Sequence, residues 1–202
     1  MRRTAPIDTA RLHLRPYRAN DLAALHRVWT DPLVRRYLWD DEVITRAAAE
    51  AVMRASIACT AQHGFGHWAV CPIGQHDLIG FCGFRFLGDR ADVELLYGLA
   101  PTHWGRGLAT EAARAMLWHG FETVGFTRVL AITEVANTAS VAVLQRLGMH
   151  VQQRFAARGL ASVRYVMTRA AFRRTHAEAP RAAEPRRRAD RALGRDAARR
   201  HA

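Results

Sequence analysis

The chain has 202 residues, half of them hydrophobic, and a formal net charge of +12. This length fits one folded domain with a short appendage. The first twenty residues contain no long apolar run, and no later segment reaches the length of a membrane span. The sequence therefore predicts a cytoplasmic protein without a membrane anchor. Three cysteines without CxxC spacing and scattered histidines predict no metal site.

The positive charge is concentrated at the C-terminus. All thirty basic residues are arginines, and ten of them lie in residues 173–202 beside four acidic residues. Pro180 and Pro185 interrupt this segment, so we expect a folded domain at residues 1–172 followed by a disordered basic tail. Arginine runs bind phosphates without sequence choice. A tether to nucleic acid or the ribosome is therefore an open function for the tail, although it lacks aromatic residues for base stacking.

The first 64 residues predict one strand and three helices. Leu12 and Leu14 alternate with polar residues in a strand that Pro16 ends. The helix signals are caps and stops of the usual residue types. The predicted helices begin at Asn20 or Asp21, at Asp31 before Pro32, and at Thr45, the last ending at Gly64.

From Phe65 onward the pattern changes to short β-type runs. An antiparallel hairpin and a third strand lead to a helix over residues 107–124, which a further strand, a helix over 137–147 and two last strands follow. A strand–helix–strand crossover joins parallel strands. The predicted fold class is therefore α/β (α+β), a single domain with a mixed, mostly antiparallel sheet that contains one parallel crossover.

A glycine-rich turn stands where this crossover helix begins. Gly105 and Gly107 flank Arg106 in "THWGRGLATEAARAM", and unpaired N–H groups at a helix start favour anions. A phosphate-bearing ligand fits this position. The motif lacks both the third glycine of a dinucleotide fingerprint and the Gly-Lys-Ser/Thr ending of a triphosphate loop. Taken alone, it also fits a tight turn with no ligand.

Three segments extend this signal to a family resemblance. "WGRGLA" fits the pattern Gln/Arg-x-x-Gly-x-Gly/Ala with Trp104 in the first place, "NTASVAVLQRLGM" fits Asn-x-x-Ser before a helix that ends in Leu-Gly-Met, and "TARLHLRPYRANDL" is a typical opening. Over about residues 9–168, the chain resembles the GNAT superfamily of acetyl-CoA-dependent N-acetyltransferases. The resemblance is strongest to the branch of ribosomal-protein N-terminal acetyltransferases.

The resemblance implies acetyl-CoA as the acyl donor, bound without a metal. It implies pyrophosphate contacts from a loop, pantetheine contacts from a strand backbone, and further contacts at the next helix. The implied residues are Gly105, Arg106, Gly107, Leu108, Ala109 and Thr110 for the loop, Tyr97, Gly98 and Leu99 for the strand, and Asn137 and Ser140 for the helix. Gly98 would relieve crowding beside the pantetheine arm. Arg106 as a solvated arginine, and Asn137 and Ser140 as helix caps, remain alternatives.

Acetyl transfer to an ammonium group needs a base and then a proton for the thiolate. Glu94 is the first candidate base, because strand alternation places it on one face with Gly98. Glu134 is the second candidate, and for each of the two a paired or solvated glutamate at a sheet edge is the alternative. The family's tyrosine acid would fall at Leu144, which cannot donate a proton, so Ser140 or a water is expected to substitute. Candidates for the acceptor site are Trp68, Trp39, Tyr37 and Phe84, although aromatic residues at such positions more often pack in the core.

The expected function is acetyl transfer from acetyl-CoA to a primary amine by direct attack in a ternary complex. A protein N-terminus is the first acceptor to consider, from the branch that the chain resembles. The alternatives are a small-molecule acetyltransferase acting on an antibiotic or a polyamine, and an acyl-CoA-binding module without turnover.

Overall fold

A computed structural model of the chain describes residues 4–88 and 92–176. These residues form one eight-stranded sheet in the order β1-β2-β3-β4-β5-β6-β8-β7. The strands are β1 Ile7–Asp8, β2 Leu12–Pro16, β3 His67–Pro72, β4 Gly80–Leu87, β5 Asp92–Leu99, β6 Arg128–Glu134, β7 His150–Ala157 and β8 Leu160–Thr168. In the described sheet β5 and β6 run parallel and the other neighbouring pairs are antiparallel. The predicted mixed α/β fold with one parallel crossover is confirmed.

Helices cover both faces of this sheet. They are α1 Leu22–Thr30, α2 Pro32–Arg35, α3 Arg46–His63, α4 Leu108–Trp118, α5 Thr138–Arg146 and α6 Arg169–Thr175. A π-helical turn, His119–Val124, continues α4. One cluster of buried side chains packs α4, α5 and α6 against the sheet, and a second packs α1, α2 and α3. Among the described helices, none has both the length and the apolar character that a membrane crossing requires.

Most of the predicted helix boundaries are formed by the capping residues that the sequence indicates. The Thr45 side chain accepts a hydrogen bond from the Ala48 N–H, and Gly64 ends α3 with φ of 79°. Asp31 caps α2 before Pro32. The capping prediction for α1 is wrong in its chemistry. Asp21 stands at the N-cap position, but its carboxylate holds the buried Arg15 guanidinium in two hydrogen bonds of 2.6 and 2.8 Å.

Helix α4 lies across the sheet as the predicted crossover. Its apolar stripe is buried throughout and includes Leu108, Ala112, Ala115, Leu117 and, in the π-helical turn, Phe121. Burying a leucine or phenylalanine side chain contributes roughly 1.5–3 kcal/mol. This packing fixes the N-terminus of α4, and hence the glycine turn before it, against the sheet.

The last described helix extends past the predicted domain boundary at residue 172. Phe172 of α6 is buried, and Arg173 donates two hydrogen bonds, of 2.8 and 2.7 Å, to the Glu122 carboxylate. Helix α6 continues to Thr175. The rest of the predicted basic tail, and with it the proposed nucleic-acid or ribosome tether, lies outside the described residues.

Candidate active site

A cleft opens where the two parallel strands diverge. Strands β5 and β6 pair at Glu94 and Leu130, and within the described sheet the rest of β5 toward Leu99 pairs with β4 alone. The cleft has a volume of about 1050 Å³. Its walls come from β5, the glycine turn and α4, α5, and the segment of residues 33–38. A long, narrow ligand can therefore enter the sheet between β5 and β6.

The glycine turn forms one end of this cleft, called here the donor end (residues 105–111 with Thr9 and Arg11). Gly105 and Gly107 have φ values of 71° and 74°, a conformation that side chains with a Cβ rarely adopt. Gly107 occupies the N-cap position of α4 without a side-chain cap. The first N–H groups of α4 therefore have no partner within the helix. Unpaired N–H groups at a helix start favour an anion, and binding of a phosphate by this turn, called here the anion cradle, stays a prediction.

Two residues from the β1–β2 turn brace this loop. Glu111, in the first turn of α4, accepts hydrogen bonds from Thr9 Oγ1 at 2.6 Å, Arg11 N at 3.0 Å and Arg11 Nε at 2.6 Å. The Arg11 Nη1 atom donates to the Arg106 carbonyl at 2.9 Å. Sequence reasoning missed Arg11 and Glu111, because residues a hundred positions apart give no local signal of their pairing.

The donor end fits acetyl-CoA on two observations. Thr110 lines the cleft, and its buried Oγ1 atom has no hydrogen-bond partner in the described part of the chain. Arg11, Arg114 and Arg146 also line the cleft, so cations accompany the unpaired donors. A pyrophosphate and a further phosphate would satisfy both. Among the described residues, no group of three His, Cys, Asp or Glu side chains could hold a metal ion.

Most of the predicted donor-binding residues meet in this cleft. Those that line it are Tyr97, Gly98, Leu99, Gly105, Gly107, Leu108, Ala109, Thr110, Asn137 and Ser140. Arg106 is exposed and does not line the cleft; its carbonyl, rather than its guanidinium, makes the contact that shapes the loop. The Leu99 carbonyl already accepts a hydrogen bond of 2.7 Å from Trp104 Nε1, so the strand backbone is less free than predicted.

Gly98 lies opposite Phe81 of the neighbouring strand β4. A Cβ added there would lie 2.6 Å from Cε1 of Phe81, which itself lines the cleft. The missing side chain thus makes room for the Phe81 ring. This packing constraint is a reason for glycine within the fold itself, and relief of crowding beside pantetheine stays a prediction.

A hydroxyl pair bridges β5 and α5 across the opening. The Tyr97 hydroxyl lies 2.9 Å from Ser140 Oγ and donates to the Ser140 carbonyl at 3.2 Å. Asn137 Oδ1 accepts from the Ser140 N–H at 3.1 Å, so Asn137 caps α5 as well as lining the cleft. Burial raises the pKa of Tyr97 well above its usual value, and the hydrogen bond from Ser140 opposes this only in part. The phenol therefore stays protonated at neutral pH.

The structure does not bring the two predicted bases to the cleft wall. Glu94 is 5% exposed, and its carboxylate accepts a hydrogen bond of 2.7 Å from Arg85 Nε on the neighbouring strand. Glu134 ends β6 and does not line the cleft either. Leu144 is part of the core, which agrees with its inability to serve as an acid.

Of the four aromatic residues proposed for the acceptor site, Tyr37 lines the cleft. Its hydroxyl donates to the Ala136 carbonyl at 3.4 Å, which connects the segment after α2 to the turn before α5. Trp68 and Phe84 are fully buried in the core. Trp39 packs edge-on against Trp29, with the ring centroids 5.4 Å apart. Thus three of the four are explained by packing.

A mixed sheet that splays beside the open N-terminus of a helix leaves a cleft that fits a phosphate-bearing ligand. Residues 11–150 match the model of the acetyltransferase (GNAT) domain family. The chain belongs to this family and is an acetyltransferase. Members of the family use acetyl-CoA, as the sequence motifs implied.

Similar proteins agree with this assignment. The chain is 27% identical over 140 residues to an uncharacterized N-acetyltransferase, p20, of Bacillus licheniformis. This alignment covers 69% of this chain and 79% of the relative. It is 22% identical over 139 residues to spermidine N(1)-acetyltransferase of Escherichia coli K12, covering 69% and 73% of the two chains.

Solved structures show the same fold. A GNAT-family acetyltransferase from Bacillus anthracis superposes with a TM-score of 0.72 at 23% identity, covering 82% of this chain and 99% of that one. The aminoglycoside acetyltransferase AAC(6')-Ib in complex with coenzyme A gives 0.68 at 20% identity, covering 81% and 98%. The ribosomal-protein-S5-alanine acetyltransferase of Vibrio fischeri gives 0.70 at 12% identity, covering 82% and 97%.

Proposed function

We propose that the chain transfers the acetyl group of acetyl-CoA to a primary amine by direct attack in a ternary complex within this cleft. The observation that carries the proposal is the continuity of the open edge of β5 with the anion cradle at α4. The cradle holds the pyrophosphate through the N–H groups near Gly107, and Thr110 Oγ1 donates its otherwise unused hydrogen bond. Arg114 and Arg146, exposed on the same wall, offer charge to the remaining phosphate.

The thioester is directed toward the Tyr97–Ser140 pair. The pantetheine arm follows the unpaired edge of β5, where Tyr97 and Gly98 present backbone groups without a strand partner on the β6 side. Such pairing resembles the addition of a strand to an exposed sheet edge. It carries the acyl group past the hydroxyls at the junction of β5 and α5.

Ser140 is the candidate proton donor for the departing thiolate, as the sequence suggested, and Tyr97 supports it. A thiol has a pKa of about 8.5, so the thiolate is a tolerable leaving group and needs only a hydrogen bond from a protonated neighbour. The raised pKa of Tyr97 keeps a proton on this pair. Attack by the neutral amine forms the amide bond and breaks the carbon–sulfur bond. The nitrogen releases its proton to solvent, and the thiolate gains a proton from the Ser140 hydroxyl, which solvent reprotonates.

The acceptor is proposed to be a primary amine, with a protein N-terminus as the first choice. An antibiotic or polyamine acceptor is the alternative within the same chemistry. An acyl-CoA-binding module without turnover is the alternative outside it. The single-turnover release of thiol, measured with each amine in turn, separates enzyme from binding module.

The first experiment is a calorimetric titration of the purified chain with acetyl-CoA, followed by the thiol-release assay. We expect binding in the micromolar range and release that depends on added amine. No binding to a folded chain would overturn the whole proposal. Binding without amine-dependent release would instead support a module that holds acyl-CoA without turning it over.

A further inference from the structure

The end of the cleft away from the glycine turn, called here the acceptor end, has mostly apolar and aromatic side chains on its wall. It is lined by Leu33, Val34, Tyr37, Leu38 and Phe81. Leu33 is 55% exposed although it is a large hydrophobic residue. Val34 and Phe81 are instead buried in the cluster beneath it. A wall of this kind suits an acceptor with an apolar group near the reacting amine.

The charges on the cleft wall are arranged asymmetrically. Among the described residues that line it, Glu111 is the one carboxylate, and its oxygens already accept hydrogen bonds from Thr9 and Arg11 at the donor end. Arg36 supplies a positive charge at the acceptor end, where its guanidinium carbon lies 5.3 Å from the centroid of the Tyr37 ring. The described acceptor end thus carries a cation and no anion.

We infer that the acceptor carries a single ammonium group on an apolar framework, and that Arg36 discriminates against acceptors with a second positive charge. This inference rests on the proposed function, since it concerns the amine that enters the same cleft. A polyamine or an aminoglycoside brings several ammonium groups, and each of them needs a carboxylate partner or open solvent. The described wall offers such groups Arg36, which repels them.

The same charge distribution limits how basic the acceptor amine is. Glu94 is held by Arg85, and no free carboxylate reaches the described acceptor end, so a strongly basic ammonium finds no nearby base. At pH 7.5 an amine of pKa about 8 is roughly a quarter neutral, whereas one of pKa about 10.4 is about a thousandth neutral. The favoured acceptor is therefore a weakly basic amine, and the α-amino group of a peptide beginning with an apolar residue has both properties.

The test compares four acceptors by kcat/KM at saturating acetyl-CoA. They are a short peptide amide beginning with alanine, n-butylamine, spermidine and kanamycin. We expect the peptide amide to exceed each of the other three by at least tenfold at pH 7.5. n-Butylamine separates the two arguments, because it has one charge but a high pKa, and it should gain on the peptide as the pH is raised to 9.

The variant Arg36→Glu tests the residue itself. We expect the ratio of the spermidine to the peptide kcat/KM to rise at least tenfold, because a carboxylate replaces the repelling cation. The matched control is Arg54→Glu, an exposed arginine of α3 away from the cleft, which should leave the ratio unchanged. An acetyl-CoA titration of each variant verifies that it folds.

The outcomes are distinguishable. If spermidine or kanamycin is the best acceptor of the wild-type chain, or if Arg36→Glu leaves the ratio where it was, the inference is wrong while the proposed function stands. If no amine releases thiol from a chain that binds acetyl-CoA, the proposed function fails and the inference fails with it.

Discussion

The two ends of the cleft hold their ligands by different means. The donor end is built from backbone: two glycines in left-handed conformation expose N–H groups, and Arg11 and Glu111 keep the loop in place. The acceptor end is built from side chains of a four-residue helix and the residues after it, laid over Phe81. The donor end depends on a backbone conformation that few residue types adopt. The acceptor end depends on side-chain shape and polarity, which many residue types could supply.

This difference predicts that the two ends can be altered separately. A change at the glycine turn should weaken acetyl-CoA binding whatever the acceptor is. A change on the segment of residues 33–38 should alter the choice of amine and leave the acetyl-CoA affinity nearly as it was. The predictions that follow test this separation, beginning with the largest expected effect.

Gly107→Val should weaken acetyl-CoA binding at least tenfold. A β-branched residue at φ of 74° is strained by about 1–3 kcal/mol, so the loop must move and the cradle at α4 is lost. Calorimetric titration measures the affinity. The matched control is Gly159→Val, because Gly159 has φ of 78° and open space around its Cβ position, and it lies in the β7–β8 turn outside the cleft wall. It should lose similar stability and keep its affinity; equal losses of affinity in both variants would contradict the cradle.

Arg11→Gln should weaken acetyl-CoA binding about fivefold, or about 1 kcal/mol. Arg11 is half exposed, so the charged contact with phosphate and the brace on Arg106 contribute modestly. The measurement is KM for acetyl-CoA and for S-acetylpantetheine, which lacks the phosphates. Only the first should rise. Arg54→Gln, on the exposed face of α3, is the control, and an equal rise for both donors would show that Arg11 merely stabilises the fold.

The preferences of single residues and the order of the elements were sufficient to predict helix boundaries and the backbone of the donor end. Thr45 and Gly64 bound α3 as their capping preferences predict, and Gly107 begins α4 because only a residue tolerant of positive φ fits there. The parallel crossover follows from strand–helix–strand order. These features depend on residues that are close together in the sequence, and they can therefore be predicted from it.

The partners of the side chains at the site could be identified only from the three-dimensional structure. Glu94 does share a face of β5 with Gly98, but alternation says nothing of the opposite strand, where Arg85 pairs with its carboxylate. The sequence predicts that Gly98 makes room for the ligand, but it gives no sign that the Phe81 ring also needs this space. The Arg11–Glu111 pair was not found, since nothing in either segment indicates the other.

Tyr97→Phe should lower kcat about threefold and leave the acetyl-CoA KM within about twofold, because the thiolate needs little assistance from an acid. Tyr17→Phe is the control, a buried tyrosine in the second cluster. Burial raises the pKa of Tyr97, so its hydroxyl stays protonated as the pH rises to about 10. The wild-type kcat should therefore show no alkaline fall due to this phenol, and a fall near pH 9 that vanishes in Tyr97→Phe would contradict the assignment.

The last expected effect is one on stability rather than on activity, and it concerns the support beneath the acceptor end. The His67 ring lies 6.0 Å from that of Phe81, its Nε2 is buried without a partner in the described residues, and burial lowers the pKa of the imidazole to about 4, with Arg85 contributing. Because the folded pKa is depressed, the fold favours the neutral ring. The contribution of His67 to the free energy of unfolding is therefore complete well above pH 6.5 and falls as the pH drops toward 4, with a loss of about 1 kcal/mol already by pH 6.

Urea titrations of the wild type and His67→Gln between pH 7.5 and 5 measure how the free energy of unfolding changes with pH. This slope should flatten in the variant. His150→Gln, at an exposed site on β7, should retain the wild-type slope, and a slope unchanged in both variants would remove His67 as its source.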